Sequence, residues 1–243
     1  MEGLYSAAAG MAAQQRRLEA VANDLANLST HGYKRTRVSF RDLVYQPAGT
    51  GAANGVSTGS GAASEISGRS FSQGTLEQTG QNLDLAIAGE GFFQVRRQDG
   101  TLALTRDGSF RVDARGQLVT AGGARLVPPI TLPRNVAAGE VHIGPDGTVS
   151  AGNRRLGRIE VVQVPSTQGL QSAGESLFVA TAASGAPRRA GDAELIQGSL
   201  EGSNVDMGDA MVNMMDSQRA FQLASRAIQL QDQMLEVANG VKR

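Results

Sequence analysis

Apolar residues recur at helical spacing at the start of the chain. Two sets repeat at intervals of seven, the second three places after the first: Leu4, Met11, Leu18 and Leu25, then Ala7, Gln14, Val21 and Leu28. An a/d repeat over four heptads is typical of a helix that packs along another helix. The pattern predicts a helix over residues 3–30 that ends near Gly32, because glycine can adopt the left-handed conformation that closes a helix.

The C-terminal segment has a similar pattern but two apolar faces. The heptad seam consists of Met214, Phe221, Ile228 and Leu235, followed three places later by Ser217, Ala224, Gln231 and Ala238. A second stripe contains Leu223, Leu230 and Val237. Helix-capping residues at 203–206 and Asp209 in the first turn predict a helix that reaches about Ala238. Because one helical partner needs only one apolar face, the second stripe predicts further neighbouring helices.

The middle of the chain has the shorter apolar runs of β-strands. The predicted strands are 92–95, 101–105, 109–112, 117–120, 141–143, 148–150, 158–164 and 177–181. Asp99-Gly100 and Asp107-Gly108 are hairpin signals, and Pro145-Asp146-Gly147 indicates a further hairpin. These runs predict an antiparallel β-rich domain over residues 70–200.

The chain therefore divides into four segments of an α+β protein. Residues 1–32 and 201–243 are predicted to pair as a coiled coil, with the β-rich domain of residues 70–200 between them. Residues 33–69 are a connecting arm that is basic at its start. From Pro47 to Arg69 the arm is rich in glycine and alanine, a composition that favours a flexible loop or a weakly held extended strand.

Composition and charge exclude several classes of protein. The 23 basic and 23 acidic residues balance, so no sign bias favours nucleic acid or an anionic membrane. The chain has no cysteine, which excludes disulfides, thiol nucleophiles and cysteine metal sites, and its 31 glycines imply a lean core. Residues 1–15 lack the basic start of a secretory signal, and no apolar run is long enough to predict a membrane-spanning helix.

The residues that could carry chemistry have simpler explanations. The chain has two histidines, His31 at a predicted helix end and His142 in a predicted strand, where a structural role is more common than catalysis. Asp107, Asp113 and Asp146 lie in or beside turn signals, where aspartate is favoured for conformational reasons. The sequence therefore predicts no catalytic residue, no metal site and no cofactor, and the protein is interpreted as not an enzyme.

One basic cluster follows the first predicted helix. It contains Lys34, Arg35, Arg37 and Arg41. As a phosphate-binding patch it lacks the aromatic residues that stack on bases. Because the segment from 201 to the C-terminus has more acidic than basic residues, we expect the cluster to meet acidic side chains of a neighbouring subunit.

Six blocks of sequence stand out from the rest of the chain: residues 22–34, 89–95, 105–110, 116–123, 197–205 and 211–221. These blocks resemble the bacterial flagellar axial proteins of the rod and hook, and most closely those of the distal rod. The motif residues that carry the resemblance are Asn23, Asn27, Gly32, Tyr33, Lys34, Gln218 and Arg219. Asp24 and His31 depart from the family's usual residues, which are asparagine at the first position and proline or asparagine at the second.

The resemblance implies a structural subunit that polymerises into the tubular rod, which transmits motor torque across the periplasm to the hook. Its partners would be other copies of itself, neighbouring rod subunits, the hook protein and the surrounding ring proteins. The export apparatus and chaperones would be partners during secretion, which would use the flagellar type III channel without a cleaved signal peptide. The expected assembly residues are Leu4, Met11, Leu18, Val21, Leu25, Leu28, Met214, Phe221, Ala224, Ile228 and Leu235.

Two alternatives stay open at this level. Within the family, the chain could be a proximal rather than a distal rod subunit, because only position along the shaft separates the two. Outside the family, its composition is compatible with a surface scaffold or adhesin without enzymatic activity.

Overall fold

The structure is a computed structural model that describes residues 2–42, 45–47, 57–59, 62–133, 136, 138–191 and 193–240. Its helices are α1 (Glu2–Ala26) and α2 (Met207–Gly240). The first ten strands are β1 (Thr36–Asp42), β2 (Tyr45–Pro47), β3 (Ser57–Gly59), β4 (Ala62–Arg69), β5 (Leu76–Gln78), β6 (Leu85–Ala88), β7 (Phe92–Arg96), β8 (Leu102–Thr105), β9 (Arg111–Val112) and β10 (Leu118–Val119). The others are β11 (Arg125–Leu126), β12 (Val141–Ile143), β13 (Thr148–Ala151), β14 (Arg154–Arg158), β15 (Val161–Gln163), β16 (Gln171–Gly174), β17 (Leu177–Val179), β18 (Arg188–Arg189), β19 (Glu194–Gln197) and β20 (Ser199–Glu201).

The chain forms two compact units. The helical unit contains residues 1–26, 36–67 and 206–243, and the β unit contains residues 27–35 and 68–205. The α+β fold with terminal helices and a large antiparallel β domain is thus as predicted. Among the described residues, neither helix is long and apolar enough to cross a membrane.

The helices begin and end close to the predicted residues. α1 ends at Ala26, a few residues early, because a turn follows in which the Thr30 N–H donates to the Asn27 carbonyl at 3.1 Å. Gly32 has the predicted left-handed conformation, with φ +66°, but it lies beyond this turn. At the start of α2, Asp206 caps the helix by accepting a 2.8 Å hydrogen bond from the Asp209 N–H.

Small side chains fill the interior of the helical unit. α1 packs against α2, and a 2.8 Å hydrogen bond joins Arg17 Nη2 to Asn213 Oδ1. The buried small residues of the two helices are Ala13, Ala20, Ala210 and Ser217. Small residues allow close approach of helix backbones, so the larger apolar residues lie toward the outside of this contact.

The β unit is built around one large antiparallel sheet. Its strand order is β16-β17-β8-β7-β11-β10-β9, and β15 pairs with both β7 and β18. One face packs on the main core, which includes Leu85, Ile87, Phe93, Leu126 and Ile130. The other face carries a smaller cluster in which Phe71, Phe92 and Phe178 meet edge to face.

Two of the three hairpin signals are confirmed, and one is wrong. Asp99-Gly100 joins the antiparallel pair β7–β8, and Pro145-Asp146-Gly147 joins β12–β13. The strands on either side of Asp107-Gly108 do not pair, because β8 lies between β7 and β17 while β9 pairs with β10. Gly108 instead packs its backbone against Leu85, whose N–H donates to the Gly108 carbonyl at 3.1 Å.

The connecting arm is paired where the structure describes it. β1 is hydrogen-bonded to β4, and β2 pairs antiparallel with β3. Of the two alternatives for residues 47–69, the extended strand rather than the flexible loop describes residues 57–59 and 62–69, which have strand partners. Residues 43, 44, 48–56, 60 and 61 of the connecting arm lie outside the described residues.

Replacement of Gly108 by alanine should destabilise the β unit. A Cβ atom at this position would overlap the backbone carbonyl of Leu85, so the two backbone segments must move apart. We expect Gly108→Ala to lower the free energy of unfolding by about 1–3 kcal/mol, measured by urea denaturation of the full chain. Gly191→Ala is the matched control, because no atom lies within 4 Å of its added Cβ. Equal stability of the two variants would contradict the packing role of Gly108.

Candidate functional site

Three charged side chains from distant parts of the chain meet inside the β unit. Lys34 Nζ lies 2.5 Å from Glu201 Oε1, and Arg106 Nη1 lies 2.9 Å from Glu201 Oε2. The side chains of Lys34 and Glu201 are fully buried, and that of Arg106 is 4% exposed. One carboxylate thus neutralises part of the charge of two buried cations. We call these three residues the ion cluster.

Backbone groups add further hydrogen bonds to the ion cluster. Lys34 Nζ donates to the Ser72 carbonyl at 2.8 Å, and Arg106 Nη2 donates to the Gly89 carbonyl at 2.9 Å. The Gly74 N–H donates to Glu201 Oε1 at 2.9 Å. Burial lowers the pKa of Lys34 below its ordinary value, and the adjacent Glu201 carboxylate opposes this shift. Buried charges are tolerated only with such partners, so the position of each side chain is tightly specified.

Main-chain contacts hold the N-terminal motif against the C-terminal block around the ion cluster. The Gly32 N–H donates to the Glu201 carbonyl at 2.8 Å, and the Asn204 N–H donates to the Tyr33 carbonyl at 3.4 Å. Asn204 Oδ1 accepts the Arg35 N–H at 2.7 Å. A Cβ atom on Gly32 would overlap the backbone of Asp107, which explains why this position is glycine.

The expectation for the basic cluster is wrong for Lys34. Its acidic partner is Glu201 of the same chain rather than a residue of a neighbouring subunit. Arg41 forms an exposed ion pair with Glu65 at 3.3 Å, and Arg35 and Arg37 are exposed. The four residues have different environments because the chain turns into a strand directly after the motif.

Two members of the ion cluster are absent from the residues proposed from sequence. Arg106 and Glu201 lie in blocks 105–110 and 197–205, which carry the family resemblance, but no local pattern marks them as buried. The available signal was a single acidic residue in an otherwise uncharged stretch, 195–205. Its pairing with Lys34 depends on a contact across most of the chain, which sequence spacing does not reveal.

The aspartates perform the predicted turn role. Asp107 Oδ1 accepts the Ser109 N–H at 3.0 Å, and Asp113 Oδ1 accepts the Gln117 N–H at 2.8 Å. Asp146 accepts both the N–H and the hydroxyl of Thr148, at 3.1 and 2.5 Å. These hydrogen bonds lower the pKa values of Asp113 and Asp146, because they stabilise the ionised carboxylates. Across the described residues, no group of three or more acidic or histidine side chains is placed to hold a metal ion.

Most of the proposed assembly residues are half-buried in the single chain. Those that are half-buried are Met11, Leu18, Val21, Leu25, Leu28, Met214, Ala224 and Ile228. Phe221 is exposed, and the side chains of Leu4 and Leu235 lie outside the described residues. Of the remaining motif residues, Asn27 accepts hydrogen bonds from Thr30, whereas Asn23, Gln218 and Arg219 have exposed side chains that do not belong to the ion cluster.

The second apolar stripe of α2 faces outward. Leu223, Leu230 and Val237 are 66%, 59% and 68% exposed. Other exposed apolar residues of α2 are Met207, Met211, Val212, Met215 and Met234. An apolar surface that runs along a 34-residue helix is unusual for a protein that stays monomeric, so it indicates a protein partner. We call the row formed by Leu223, Leu230 and Val237 the α2 stripe.

Three family profiles match the chain. The profile described as "Flagella basal body rod protein" matches residues 4–34, and that described as "Flagellar hook protein FlgE/F/G D1 domain" matches residues 86–151. The profile described as "Flagellar basal body rod FlgEFG protein C-terminal" matches residues 196–241. Lys34 and Arg106 fall in the first and second matched regions and Glu201 in the third.

Similar proteins extend over the whole chain. The chain is 39% identical to the flagellar basal-body rod protein FlgG of Borreliella burgdorferi, over 100% of this chain and 99% of that protein. It is 35% identical to FlgG of Bacillus subtilis over the full length of both. It is also 35% identical to the flagellar basal-body rod protein FlgF of Caulobacter vibrioides, over 87% of this chain and 86% of that protein.

Removal of the central carboxylate should destabilise the β unit strongly. Glu201→Gln leaves Lys34 and Arg106 buried without a counter-charge, and we expect a loss of about 3–5 kcal/mol in the free energy of unfolding. With Lys34→Met also present, the loss should be smaller than the sum of the two single losses, because one uncompensated cation is gone. Urea denaturation measures the three variants. Glu194→Gln, an exposed carboxylate on β19, is the control, and additivity of the two changes would refute the coupling.

The ion cluster also predicts where the smallest stable fragment ends. A chain of residues 27–205 retains all three members, whereas one of residues 70–200 lacks Lys34 and Glu201 and leaves Arg106 without its carboxylate. We expect a cooperative calorimetric transition from the longer fragment and a weaker, broader one at lower temperature from the shorter. Identical transitions would show that the β unit does not need the motif segments.

Proposed function

The chain belongs to the family of flagellar basal-body rod proteins, and we propose that it polymerises through the α2 stripe. It is a structural subunit of the rod, the shaft that connects the motor to the hook, and not an enzyme. Its position is the basal body of the flagellum.

The exposed α2 stripe is the observation that carries this proposal. Within the described residues the helical unit contains two helices, and many large apolar side chains of α2 stay exposed although α1 packs against it. Full burial of one Leu or Val side chain contributes about 1.5–3 kcal/mol, so several such residues would make a strong contact between subunits. In a homopolymer every copy offers the same stripe, and helices of neighbouring copies can cover it.

The half-buried residues of the heptad seams would then complete a coiled coil. Leu18 on α1 and Ile228 on α2 are each half-buried in the single chain. Additional helices from neighbouring copies would bury the rest of these side chains and supply the knobs-into-holes packing expected from the heptad repeat. Within this proposal, the small buried residues hold α1 and α2 together, and the larger ones hold the subunits together.

The same assembly implies the remaining partners. The rod subunits next along the shaft, the hook protein beyond them and the ring proteins around the rod would contact the subunit surface. We propose that the chain reaches its position through the export channel of the flagellum, with export apparatus and chaperones as transient partners. A cysteine-free chain suits this route, because no disulfide can form before assembly.

A distal position is favoured over a proximal one. The similarity to FlgG proteins extends over the full chain at up to 39% identity, whereas that to FlgF of Caulobacter vibrioides covers 87% of it at 35%. A free-standing scaffold or adhesin does not explain the α2 stripe, since such a protein would expose it to water.

Charge placed in the α2 stripe should prevent assembly without unfolding the subunit. We expect Leu223→Asp with Leu230→Asp to abolish swimming and to leave isolated basal bodies without a complete rod, because buried unpaired carboxylates are costly. Thermal melting of the purified chain should be unchanged, since both side chains are exposed in the single subunit. Swimming and electron microscopy of basal bodies provide the measurements.

The matched control places the same charges at two exposed glutamines of α2. Gln222 and Gln229 are exposed and precede the two leucines by one residue each. Gln222→Asp with Gln229→Asp should keep swimming and rod assembly near normal. Normal rods in the leucine variant would show that the α2 stripe is not the assembly contact.

A further inference from the structure

A row of arginines crosses the face of the large sheet that is opposite the main core. The strands β8, β7, β11, β10 and β9 are neighbours in this order in the sheet. Their register aligns one residue of each strand in a row across the sheet: Leu102, Arg96, Arg125, Val119 and Arg111. Residues paired across strands point to the same face. The neighbouring positions Val95, Leu126 and Leu118 belong to the main core, so these five side chains point away from it. Val119 is half-buried, and the other four side chains are exposed.

Within the described part of the chain, the arginines of this row form no ion pair. Among the residues that the structure describes, no carboxylate lies within 4.0 Å of the guanidinium groups of Arg96, Arg111 or Arg125, although Arg97 pairs with Asp99 and Arg189 with Glu160. Asp113 is near enough to Arg125 for the arginine to help lower its pKa, but it accepts the hydrogen bonds of its own turn. Arg96 and Arg125 lie directly opposite each other, an arrangement that destabilises a sheet.

We propose that this arginine row is a contact surface between the β units of neighbouring copies, where it binds carboxylates of the second copy. The inference rests on the proposed function as a self-polymerising subunit and adds a lateral contact to that made by the α2 stripe. Arginine suits this task, because its planar guanidinium binds carboxylates with two hydrogen bonds and is weakly hydrated. Leu102 and Val119 add apolar area at one end and in the middle of the row.

A second copy can supply the required charge. The chain is neutral overall, with 23 basic and 23 acidic residues, so a local excess of arginine implies carboxylates elsewhere on the same surface. Exposed carboxylates of the β unit without an ion pair among the described residues are Glu77, Glu90, Glu140, Asp146, Glu175 and Glu194. In a polymer of identical subunits, such groups can face the arginine row of the next copy without any further partner.

A binding role of the arginine row and a purely structural one predict different outcomes for the melting temperature and for self-association. Arg125→Glu replaces a repulsive cross-strand pair with an attractive one, so we expect the melting temperature of the purified full-length chain to rise by about 1–4 °C. The same change puts a negative charge where carboxylates of the second copy would bind. We expect self-association in sedimentation experiments to require at least about tenfold higher protein concentration, with poor swimming in cells.

Arg154→Glu is the control, because Arg154 is also exposed but lies on β14 in a separate sheet. It should leave self-association and swimming unchanged. Self-association of Arg125→Glu at the wild-type concentration would overturn the proposal, as would a lowered melting temperature that accounts for the loss of assembly. Failure of the proposed function itself would be distinct, because the Leu223→Asp, Leu230→Asp chain would then assemble normally.

A second measurement uses the absence of cysteine. The thiol introduced by Val119→Cys is the only one in the chain, so its reaction with a maleimide reports on the middle of the row alone. We expect rapid reaction in the dilute monomer and at least about tenfold slower reaction in the associated chain. Equal rates in both states would show that the row stays exposed and would place its partner outside the homopolymer, which also overturns the proposal.

Discussion

The carboxylate of Glu201, buried between Lys34 and Arg106, is the interaction on which the rest of the β unit depends. It brings together a segment that follows α1, a turn of the large sheet and the strand that leads into α2. Each cation would be costly to bury alone, so each segment is stable in this position only when the others are present. The ion cluster therefore makes folding of the β unit depend on residues from both ends of the chain.

A second constraint divides apolar residues by size. In the helical unit the buried apolar residues are alanines, and many large apolar side chains of α2 remain exposed. The β unit differs, because its large apolar side chains fill two cores on the faces of one sheet. The β unit thus buries its large apolar side chains within the single chain, whereas the helical unit leaves exposed the apolar surface that we propose for contacts between subunits. This division suits a subunit that must be stable before assembly and must then assemble firmly.

Close backbone packing compensates for a chain with few aromatic residues. Gly32 and Gly108 let one main chain approach another where a side chain would overlap it. The few phenylalanines are concentrated, with Phe71, Phe92 and Phe178 in one cluster and Phe93 against Phe110 in the other. Arg106 also lies over the ring of Phe92, which connects this cluster to the buried charges.

The sequence by itself determined the helices, eight of the twenty strands in the described residues and the family, because heptad spacing, alternation and turn residues act over a few residues of chain. The Asp99-Gly100 hairpin and the Asp206 cap are local in this sense, as are the turn aspartates. Asp107-Gly108 has the same local signal, yet tertiary contacts with Leu85 decided its conformation. Only the tertiary structure revealed that Lys34 pairs with Glu201, that small rather than large residues fill the helical contact, and that three arginines share one row. Each of these features depends on strand register or on contacts between residues far apart in sequence. The spacing of neighbouring residues along the chain does not reveal which of these long-range contacts are favourable.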